Sequence, residues 1–294
     1  MSQTLRVLLT EIIDYAGLFP PSQVSMAVAV RNFATYLKGK DSWMLGRFIV
    51  PVGRLDEFSA AAEKHLNGKR LWRLSVLADE DLPETLTEVA RFNGRYEGRA
   101  IIDALEIKVS EAAEITAGAK LLPPDLMAYF EIPPNDILAD FITALAITHQ
   151  RAKIRTGGLT ADAFPSTDAV IKFMRICIAA NVPFKATAGL HHPLRCNKPL
   201  TYETNAPTGI MHGFLNLFLS ACFLRQDLNN SSVHRLMNEI EPAVFEFDDD
   251  QIKWADHRIP LHIIELARKK NAISFGSCSF VEPVEDLISL NIYQ

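Results

Sequence analysis

Residues 183–192 read Pro-Phe-Lys-Ala-Thr-Ala-Gly-Leu-His-His and predict a short buried strand that carries a lysine. Successive side chains of a strand point to opposite faces, so Lys185 and Thr187 share one face while Phe184 and Ala186 share the other. Desolvating an ammonium group costs several kcal/mol unless the group is paired or gives up its proton. The sequence therefore predicts a strand with one apolar face and one face that carries an amine and a hydroxyl group.

Three preceding strand-length segments show the same alternation of charged and apolar side chains. Their charged positions are Glu106 and Lys108 in segment 100–109, Glu131 in segment 126–132, and Lys153 and Arg155 in segment 152–155. In a barrel of parallel strands, the apolar faces would meet the surrounding helices and the charged faces would meet inside, where the strands lead to the active site at the C-terminal mouth.

Strand-length apolar runs alternate with segments of helical period along much of the chain, which is typical of repeated βα units. The predicted strands span residues 47–52, 71–77, 100–109, 126–132, 152–155, 183–188 and 273–278. Over 294 residues this pattern favours an α/β fold, a (β/α)8 TIM-type barrel, with a doubly wound open sheet as the alternative. No glycine-rich nucleotide-binding motif follows the first predicted strand, which weakens that alternative.

The pattern divides the chain, taken as a single barrel domain over residues 1–294, into four parts. They are a helical preface at 1–42 with helices near 5–15 and 26–37, six βα units at 43–190, an irregular insertion at 191–260, and a helix, strand and C-terminal helix at 261–294. We expect a hairpin of segments 244–247 and 251–254 in the insertion, which must also hide the eighth strand. The segment Asp14–Pro21 either closes the bottom of the barrel or reaches the mouth of a neighbouring subunit.

The composition predicts a cytoplasmic protein that binds neither nucleic acid nor membrane. The formal net charge is −5, whereas nucleic acid and anionic membranes require a basic footprint. We expect no secretory leader and no run of apolar residues long enough to span a bilayer. The four cysteines show no C-x-x-C spacing and are expected to be reduced. The sequence leaves open whether the protein forms a homo-oligomer.

The charged positions predict an anionic ligand, a carboxylate or a phosphate. Glu106 and Glu131 supply two negative charges, whereas four cationic side chains face them, namely Lys108, Lys153, Arg155 and Lys185. Cationic neighbours should push at least one lysine towards neutrality, which would make it a nucleophile for a carbonyl group or a general base. The alternative is a structural network of ion pairs that fills the barrel.

Further candidate residues follow the last two predicted strands. His191 and His192 lie in the loop after Gly189, and His212 and Asn216 are spaced to share one face of the next helix. Gly276, Ser277 and Ser279 form a tight turn of the kind that binds phosphate in barrels. Cys278, with no histidine adjacent in sequence, is expected to be a small buried apolar side chain.

The stretch from Ala152 to Gly189 resembles the deoxyribose-phosphate aldolase group of class I aldolases. It reads Ala-Lys-Ile-Arg-Thr-Gly-Gly-Leu-Thr, then a helix, then Phe-Lys-Ala-Thr-Ala-Gly, against the Lys-Thr-Ser-Thr-Gly segment of that family. The resemblance implies a Schiff-base lysine at Lys185, and Glu106 stands nearest the family's aspartate. The family's second lysine on the next strand has no counterpart here. Lys-Ala-Thr-Ala-Gly-Leu-His is also similar to a Lys-Thr-Thr-Pro-Gly-Leu-Arg segment of quinolinate phosphoribosyltransferases.

Together the residues predict an aldolase-like lyase that acts on a small anionic carbonyl compound without a cofactor. Lys185 would be the nucleophile or base, Lys153 would tune it, and Glu106 and Glu131 would transfer protons. Arg155 would hold the anion, with Lys108, Thr187 and the loop residues around the substrate. One alternative is a lyase or isomerase with a divalent metal on Glu106, Glu131, His191 and His212. The other is a non-catalytic barrel that binds an anionic metabolite.

Overall fold

The computed structural model describes residues 1–67, 69–135 and 137–294 and contains a closed barrel of parallel strands. The strands follow one another around the barrel in chain order, and the last pairs with the first. In the described residues the eight barrel strands are β1 (Ile13–Tyr15), β2 (Leu45–Pro51), β3 (Trp72–Leu77), β4 (Ala100–Lys108), β5 (Met127–Glu131), β6 (Arg151–Arg155), β7 (Phe184–Thr187) and β13 (Ala272–Ser277). The predicted (β/α)8 TIM-type barrel is confirmed.

Helices alternate with these strands, and polar side chains at their N-termini define where several of them begin. The helices are α1 (Gln3–Leu9), α2 (Met26–Tyr36), α3 (Leu55–Ala62), α4 (Leu82–Arg95), α5 (Ala112–Ala119), α6 (Leu138–Ile147), α7 (Thr167–Ala179), α8 (Phe214–Leu224), α9 (Asn230–Met237), α10 (Leu261–Lys270) and α11 (Val281–Ser289). Asp81 and Ser166 each accept a backbone N–H bond at the start of α4 and α7. None of the described helices has both the length and the apolar character needed to cross a bilayer.

The first barrel strand lies where the sequence predicts a helix. The predicted helix 5–15 ends at Leu9, the backbone reverses at Glu11 with a φ of 48°, and β1 follows at Ile13–Tyr15. The apolar residues before and after the turn continue the helical spacing, so a strand of three residues is hidden from periodicity. The preface is therefore part of the barrel, and the expectation that the eighth strand lies within 191–260 is wrong.

The region before the last barrel strand is irregular, as predicted. It contains the pair β8 (Cys196–Pro199) and β9 (Thr208–Met211), and a sheet of β10 (Phe245–Phe247), β11 (Gln251–Trp254) and β12 (His257–Pro260). The predicted hairpin corresponds to β10 and β11, to which β12 adds a third antiparallel strand. Every residue of α8 is buried, which ties this region to the barrel core.

The two faces of the barrel strands differ as predicted. Leu105, Phe130, Ile154 and Ala186 have no exposed surface and belong to the apolar core. The inner face carries polar groups from the bottom of the barrel upwards. Near the N-terminal ends of the strands, Asp103 accepts hydrogen bonds from Arg47 at 2.6 and 2.9 Å and from Arg73 at 2.9 Å. These ion pairs fill the bottom of the barrel.

Candidate active site at the barrel mouth

A chain of alternating charges crosses the upper interior of the barrel. Lys185 Nζ lies 2.7 Å from Asp14 Oδ2 and 2.7 Å from Glu106 Oε1. Lys153 Nζ lies 2.6 Å from the other oxygen of Glu106, Oε2, and 2.7 Å from Glu131 Oε2. Glu106 therefore bridges two lysines, and the chain runs from Asp14 to Glu131 without a break.

The strand register places these side chains side by side. Lys153 on β6 is level with Lys185 on β7, and Glu131 on β5 is level with Lys153. Because paired residues of parallel strands face the same side of a sheet, the three side chains enter the barrel at one height. Two serines complete the network: Ser75 donates to Glu106 Oε1 and Ser274 to Asp14 Oδ2, both at 2.8 Å.

Burial and pairing act in opposite directions on this network. Burial alone would raise the pKa of Asp14 and Glu106, but the neighbouring ammonium groups outweigh it and lower both pKa values. Burial would likewise lower the pKa of Lys185, but the carboxylates of Asp14 and Glu106 raise it. Lys185 is therefore an ammonium ion near neutral pH, and the prediction of a lysine pushed towards neutrality is wrong for Lys185.

The net charge of the network also differs from the prediction. Asp14, which the sequence pattern placed in a helix, adds a third carboxylate to Glu106 and Glu131. The three cations in contact with these carboxylates are Lys153, Lys185 and Arg155. Three negative and three positive charges balance, so the predicted surplus of positive charge is absent from this described network.

A cavity of about 290 Å³ opens above the network at the C-terminal ends of the strands. Lys153 and Glu106 line it, and much of the remaining lining is apolar, from Phe19, Leu77 and Phe164 among others. Lys153 is the lysine among the described residues that line this cavity, whereas Lys185 is 1% exposed and lies behind Glu106. The segment Asp14–Pro21 supplies four of the lining residues, so it leads from the network to the mouth of its own barrel, and the expectation that it closes the bottom is wrong.

Arg155 and Lys108 take different positions at the rim. The Arg155 side chain is 55% exposed, lines the cavity and donates to Glu131 Oε1 at 3.3 Å. Lys108 is exposed at the end of β4 and lines two other grooves rather than the cavity, one of them together with Glu131 and Arg155. Lys108 therefore does not line this cavity, and its role beside a substrate stays a prediction.

The four residues of the predicted metal alternative do not converge. Glu106 and Glu131 are held by lysines, and His191 Nδ1 lies 3.2 Å from Glu282 Oε2. His212 precedes α8 rather than lying on it, and its Nε2 is 2.8 Å from the carbonyl oxygen of Pro165. Among the described residues, no group of three or more His, Cys, Asp or Glu side chains could hold a metal ion.

Two other predicted binding residues have structural roles. Asn216 accepts a hydrogen bond from the Arg195 backbone at 2.8 Å and donates to the carbonyl oxygens of Leu236 and Glu239 at 2.7 and 3.0 Å. His192 Nδ1 lies 2.5 Å from Asp286 Oδ2. Neither lines the cavity. Both residues lie in the irregular region, whose structure cannot be predicted from the spacing of residues along the chain.

The turn after β13 forms an open wall of the cavity. Gly276 and Thr187 line the cavity, and a Cβ at Gly276 would stand 3.2 Å from Thr187 Oγ1, so glycine keeps this wall open. Ser277 Oγ accepts from the backbone N–H of Ser279, and Ser279 Oγ accepts from that of Glu282. Both hydroxyl oxygens therefore accept hydrogen bonds within the turn, and neither serine lines the cavity. The phosphate site at this turn stays a prediction.

Cys278 has a histidine partner that the sequence analysis missed. Its Sγ lies 3.9 Å from His191 Nδ1, and the hydroxyl of Ser22 donates to it at 3.2 Å. Cys278 is buried, as predicted, but it lines the cavity together with His191. The two residues are 87 positions apart in the chain, and only the adjacency of β7 and β13 in the barrel brings them together.

Fold and site define a class of protein: a TIM-type (β/α)8 barrel with an ion-paired interior and a small cavity at its mouth. Many enzymes share this fold, and in such barrels the active site lies at this end of the strands. Comparison with models of known protein families and with curated proteins gave no match for this chain. The resemblance of residues 152–189 to class I aldolases stays a prediction.

Proposed function

We propose that the protein is an aldolase-like lyase for a small anionic carbonyl compound, with Lys153 as the amine that meets the substrate. The observation that carries this proposal is the position of Lys153. Its Nζ lies between the carboxylates of Glu106 and Glu131 at 2.6 and 2.7 Å, and its side chain lines the cavity. An amine so placed has both access to a ligand and two proton acceptors.

The chemistry follows from that placement. Lys153 passes a proton to Glu131 or Glu106, and its nitrogen lone pair attacks the carbonyl carbon of the substrate. The carbonyl oxygen takes one proton from the amine nitrogen and one from the protonated glutamate and leaves as water, which gives an iminium ion. A carboxylate then removes the proton of the substrate's β-hydroxyl group, the C–C bond breaks to release an aldehyde, and its electron pair forms an enamine that is protonated at carbon. Hydrolysis of the imine then returns the free amine. The Glu131 side chain is 18% exposed and can exchange its proton with ligand or solvent.

Arg155 would bind the anionic group of the substrate. One guanidinium N–H contacts Glu131 at 3.3 Å, and the side chain is 55% exposed at the cavity rim. The remaining N–H donors suit a carboxylate or phosphate, since guanidinium groups bind such oxygens through paired hydrogen bonds. The apolar lining of the cavity would exclude water from the reacting carbon.

Lys185 is assigned a positioning role in this proposal. It is buried behind Glu106 and holds Glu106 Oε1 at 2.7 Å, so that Oε2 faces Lys153. Its ammonium also lies 5.4 Å from the centre of the Tyr129 ring, which stabilises the cation further. A nucleophilic Lys185, as the aldolase resemblance implies, would have to meet the substrate from a position that is 1% exposed and does not line the cavity.

Borohydride trapping tests the proposal. The protein is incubated with pyruvate, glyoxylate, dihydroxyacetone phosphate and glyceraldehyde phosphate, reduced with borohydride, and measured by intact mass and peptide mapping. We expect a secondary amine on Lys153 with at least one of these probes. K153R, which keeps the positive charge but cannot form the imine, should lose the adduct. K172R changes an exposed lysine of α7 and should retain it.

Other outcomes of this experiment would contradict the assignment. An adduct on Lys185 instead of Lys153 would restore the role that the aldolase resemblance implies. Binding of a probe by calorimetry, with no adduct and no turnover across the panel, would favour a non-catalytic barrel for anionic metabolites.

A further inference from the structure

A second cluster of reactive side chains borders the same cavity but shares no residue with the lysine network. Cys278 Sγ receives the hydroxyl hydrogen of Ser22 at 3.2 Å and lies 3.9 Å from both His191 Nδ1 and the Tyr202 hydroxyl oxygen. Glu282 completes the cluster, since its Oε2 lies 3.2 Å from His191 Nδ1 and accepts from the Tyr202 hydroxyl at 3.1 Å.

The surroundings of the sulfur favour a thiolate paired with an imidazolium. Burial would raise the pKa of Cys278, but the contact with His191 and the Ser22 hydrogen bond lower it. Burial would lower the pKa of His191, but Cys278 and Glu282 raise it to about 9.

The other three cysteines provide an internal comparison. Burial raises the pKa of Cys196 to about 11 and that of Cys222 to about 12, and it raises the pKa of Cys177 as well. Cys196 is more exposed than Cys278, which is 5% exposed. Cys196 is therefore the more exposed of the two, whereas Cys278 has the greater thiolate character. A reaction rate can show which of the two properties controls reactivity.

We propose that Cys278 is a nucleophilic thiolate that adds to an α,β-unsaturated carbonyl compound held in the cavity, with His191 as the proton donor. Both side chains line the cavity, which gives a small ligand access to a sulfur that is otherwise covered. This site does not depend on imine formation at Lys153.

The proposed step is balanced without an oxidant or a leaving group. A lone pair of Sγ forms a C–S bond to the β-carbon, and the electron pair of the C=C bond moves to the α-carbon. His191 donates its proton to that carbon and becomes neutral, and it regains a proton from solvent. Glu282 stabilises the cationic form of His191 before the transfer, since the two side chains are 3.2 Å apart.

Alkylation with acrylamide, an α,β-unsaturated amide, and with iodoacetamide tests this proposal on the full-length protein. Peptide mapping over time gives a rate for each cysteine. At pH 7 we expect Cys278 to react with both reagents at least about tenfold faster than the more exposed Cys196, because the thiolate is the reactive form. Equal rates, or a faster Cys196, would overturn the proposal.

Two further measurements separate a thiolate pair from a merely accessible thiol. H191Q should slow alkylation of Cys278 about tenfold at pH 7, whereas H262Q, at an exposed histidine of α10, should leave the rate unchanged. In the unmodified protein, the rate at Cys278 should level off at a lower pH than the rate at Cys196, since an ordinary thiol gains about tenfold per pH unit below its pKa. An ordinary profile at Cys278, or an unchanged rate in H191Q, would refute the pairing with His191.

Discussion

At the scale of single residues, Asp14 determines how the interior lysine is held. Its Oδ2 accepts hydrogen bonds from Lys185 at 2.7 Å and Ser274 at 2.8 Å, and its Oδ1 accepts from the backbone of Arg47 at 2.8 Å. One carboxylate thus joins side chains or backbone of β1, β2, β7 and β13. Its removal would leave Lys185 with Glu106 alone, which is already shared with Lys153.

We predict that D14N lowers the free energy of unfolding by about 3–5 kcal/mol, the range found when one partner of a buried ion pair is removed. Urea titration followed by circular dichroism measures this change. Glu57, whose exposed side chain pairs with Arg54, offers a matched control. E57Q should cost at most about 1 kcal/mol, because exposed ion pairs contribute little. Similar losses in the two variants would show that the Asp14 pair is not a dominant contact.

Alternation along the strands was sufficient to predict that Glu106, Lys153 and Lys185 face the interior. It could not predict Asp14, because that residue lies in a stretch whose apolar spacing fits a helix as well as a strand. Nor could it predict the pairing of Cys278 with His191, since contacts between loops of neighbouring strands leave no periodic signal in the sequence. The inward-facing charged residues were thus predicted in strands long enough to show alternation. Residues of the site in the shortest strand and in the loops were missed.

At the scale of elements, β1 and β2 pack closely around the Asp14 carboxylate. The pairing of β1 with β2 shifts register between Ile13 and Tyr15, and Gly46 lies opposite this irregularity. A Cβ at Gly46 would stand well inside van der Waals contact of Asp14 Oδ1 and 3.3 Å from the carbonyl oxygens of Glu11 and Ile13. The close packing of β1 against β2 therefore requires glycine at position 46.

We predict that G46A destabilises the protein by about 1–3 kcal/mol, because a well-packed interior must shift to admit the methyl group. Thermal and urea unfolding measure the effect. G94A is the control: Gly94 lies in α4, and an added Cβ meets no atom within 4 Å. There the alanine should stabilise the helix by about 0.5–1 kcal/mol. An unchanged free energy of unfolding in G46A would mean that β1 and β2 can shift to admit the methyl group without loss of stability.

The sequence predicted well the helices that have several turns and the strands in which apolar and charged side chains alternate. Six strand predictions from 47–52 to 183–188 overlap β2 to β7, and the prediction 273–278 overlaps β13. β1 has three residues, too few to define a period of two. His212 and Asn216 were placed on one helix by spacing, yet α8 begins between them at Phe214.

At the scale of the whole molecule, the interior network gives folding stability a defined dependence on pH. The pKa values of Asp14, Glu106 and Glu131 are lower in the folded protein than in the unfolded chain. Their ionised forms therefore stabilise the fold above the unfolded pKa values near 4, and this stability is lost as the pH falls through the folded pKa values. The raised pKa of Lys185 has the opposite sign, so its contribution is present below about pH 10 and is lost at higher pH.

We predict that E131Q has a shallower loss of stability than the unmodified protein between about pH 5 and 3, because one of the linked carboxyl groups no longer titrates. Free energies of unfolding from urea titrations across this range test the slope. E246Q is the control, since Glu246 is 63% exposed in an ion pair with Lys253. Its curve should run parallel to that of the unmodified protein. A slope for E131Q equal to that of E246Q would contradict this assignment.

Because β1 pairs with β13, the first and last strands of the barrel can meet only late in synthesis. Asp14 and Ser274 are 260 positions apart, so Asp14 is synthesised long before the strand that completes its surroundings. Until β13 emerges, the barrel cannot close, and Lys185 and Asp14 stay in contact with water. The ionic interior can therefore close only after β13 is made. Because contacts that are absent from the folding transition state act mainly on unfolding, we expect substitutions along this seam, such as D14N, to speed unfolding more than they slow folding.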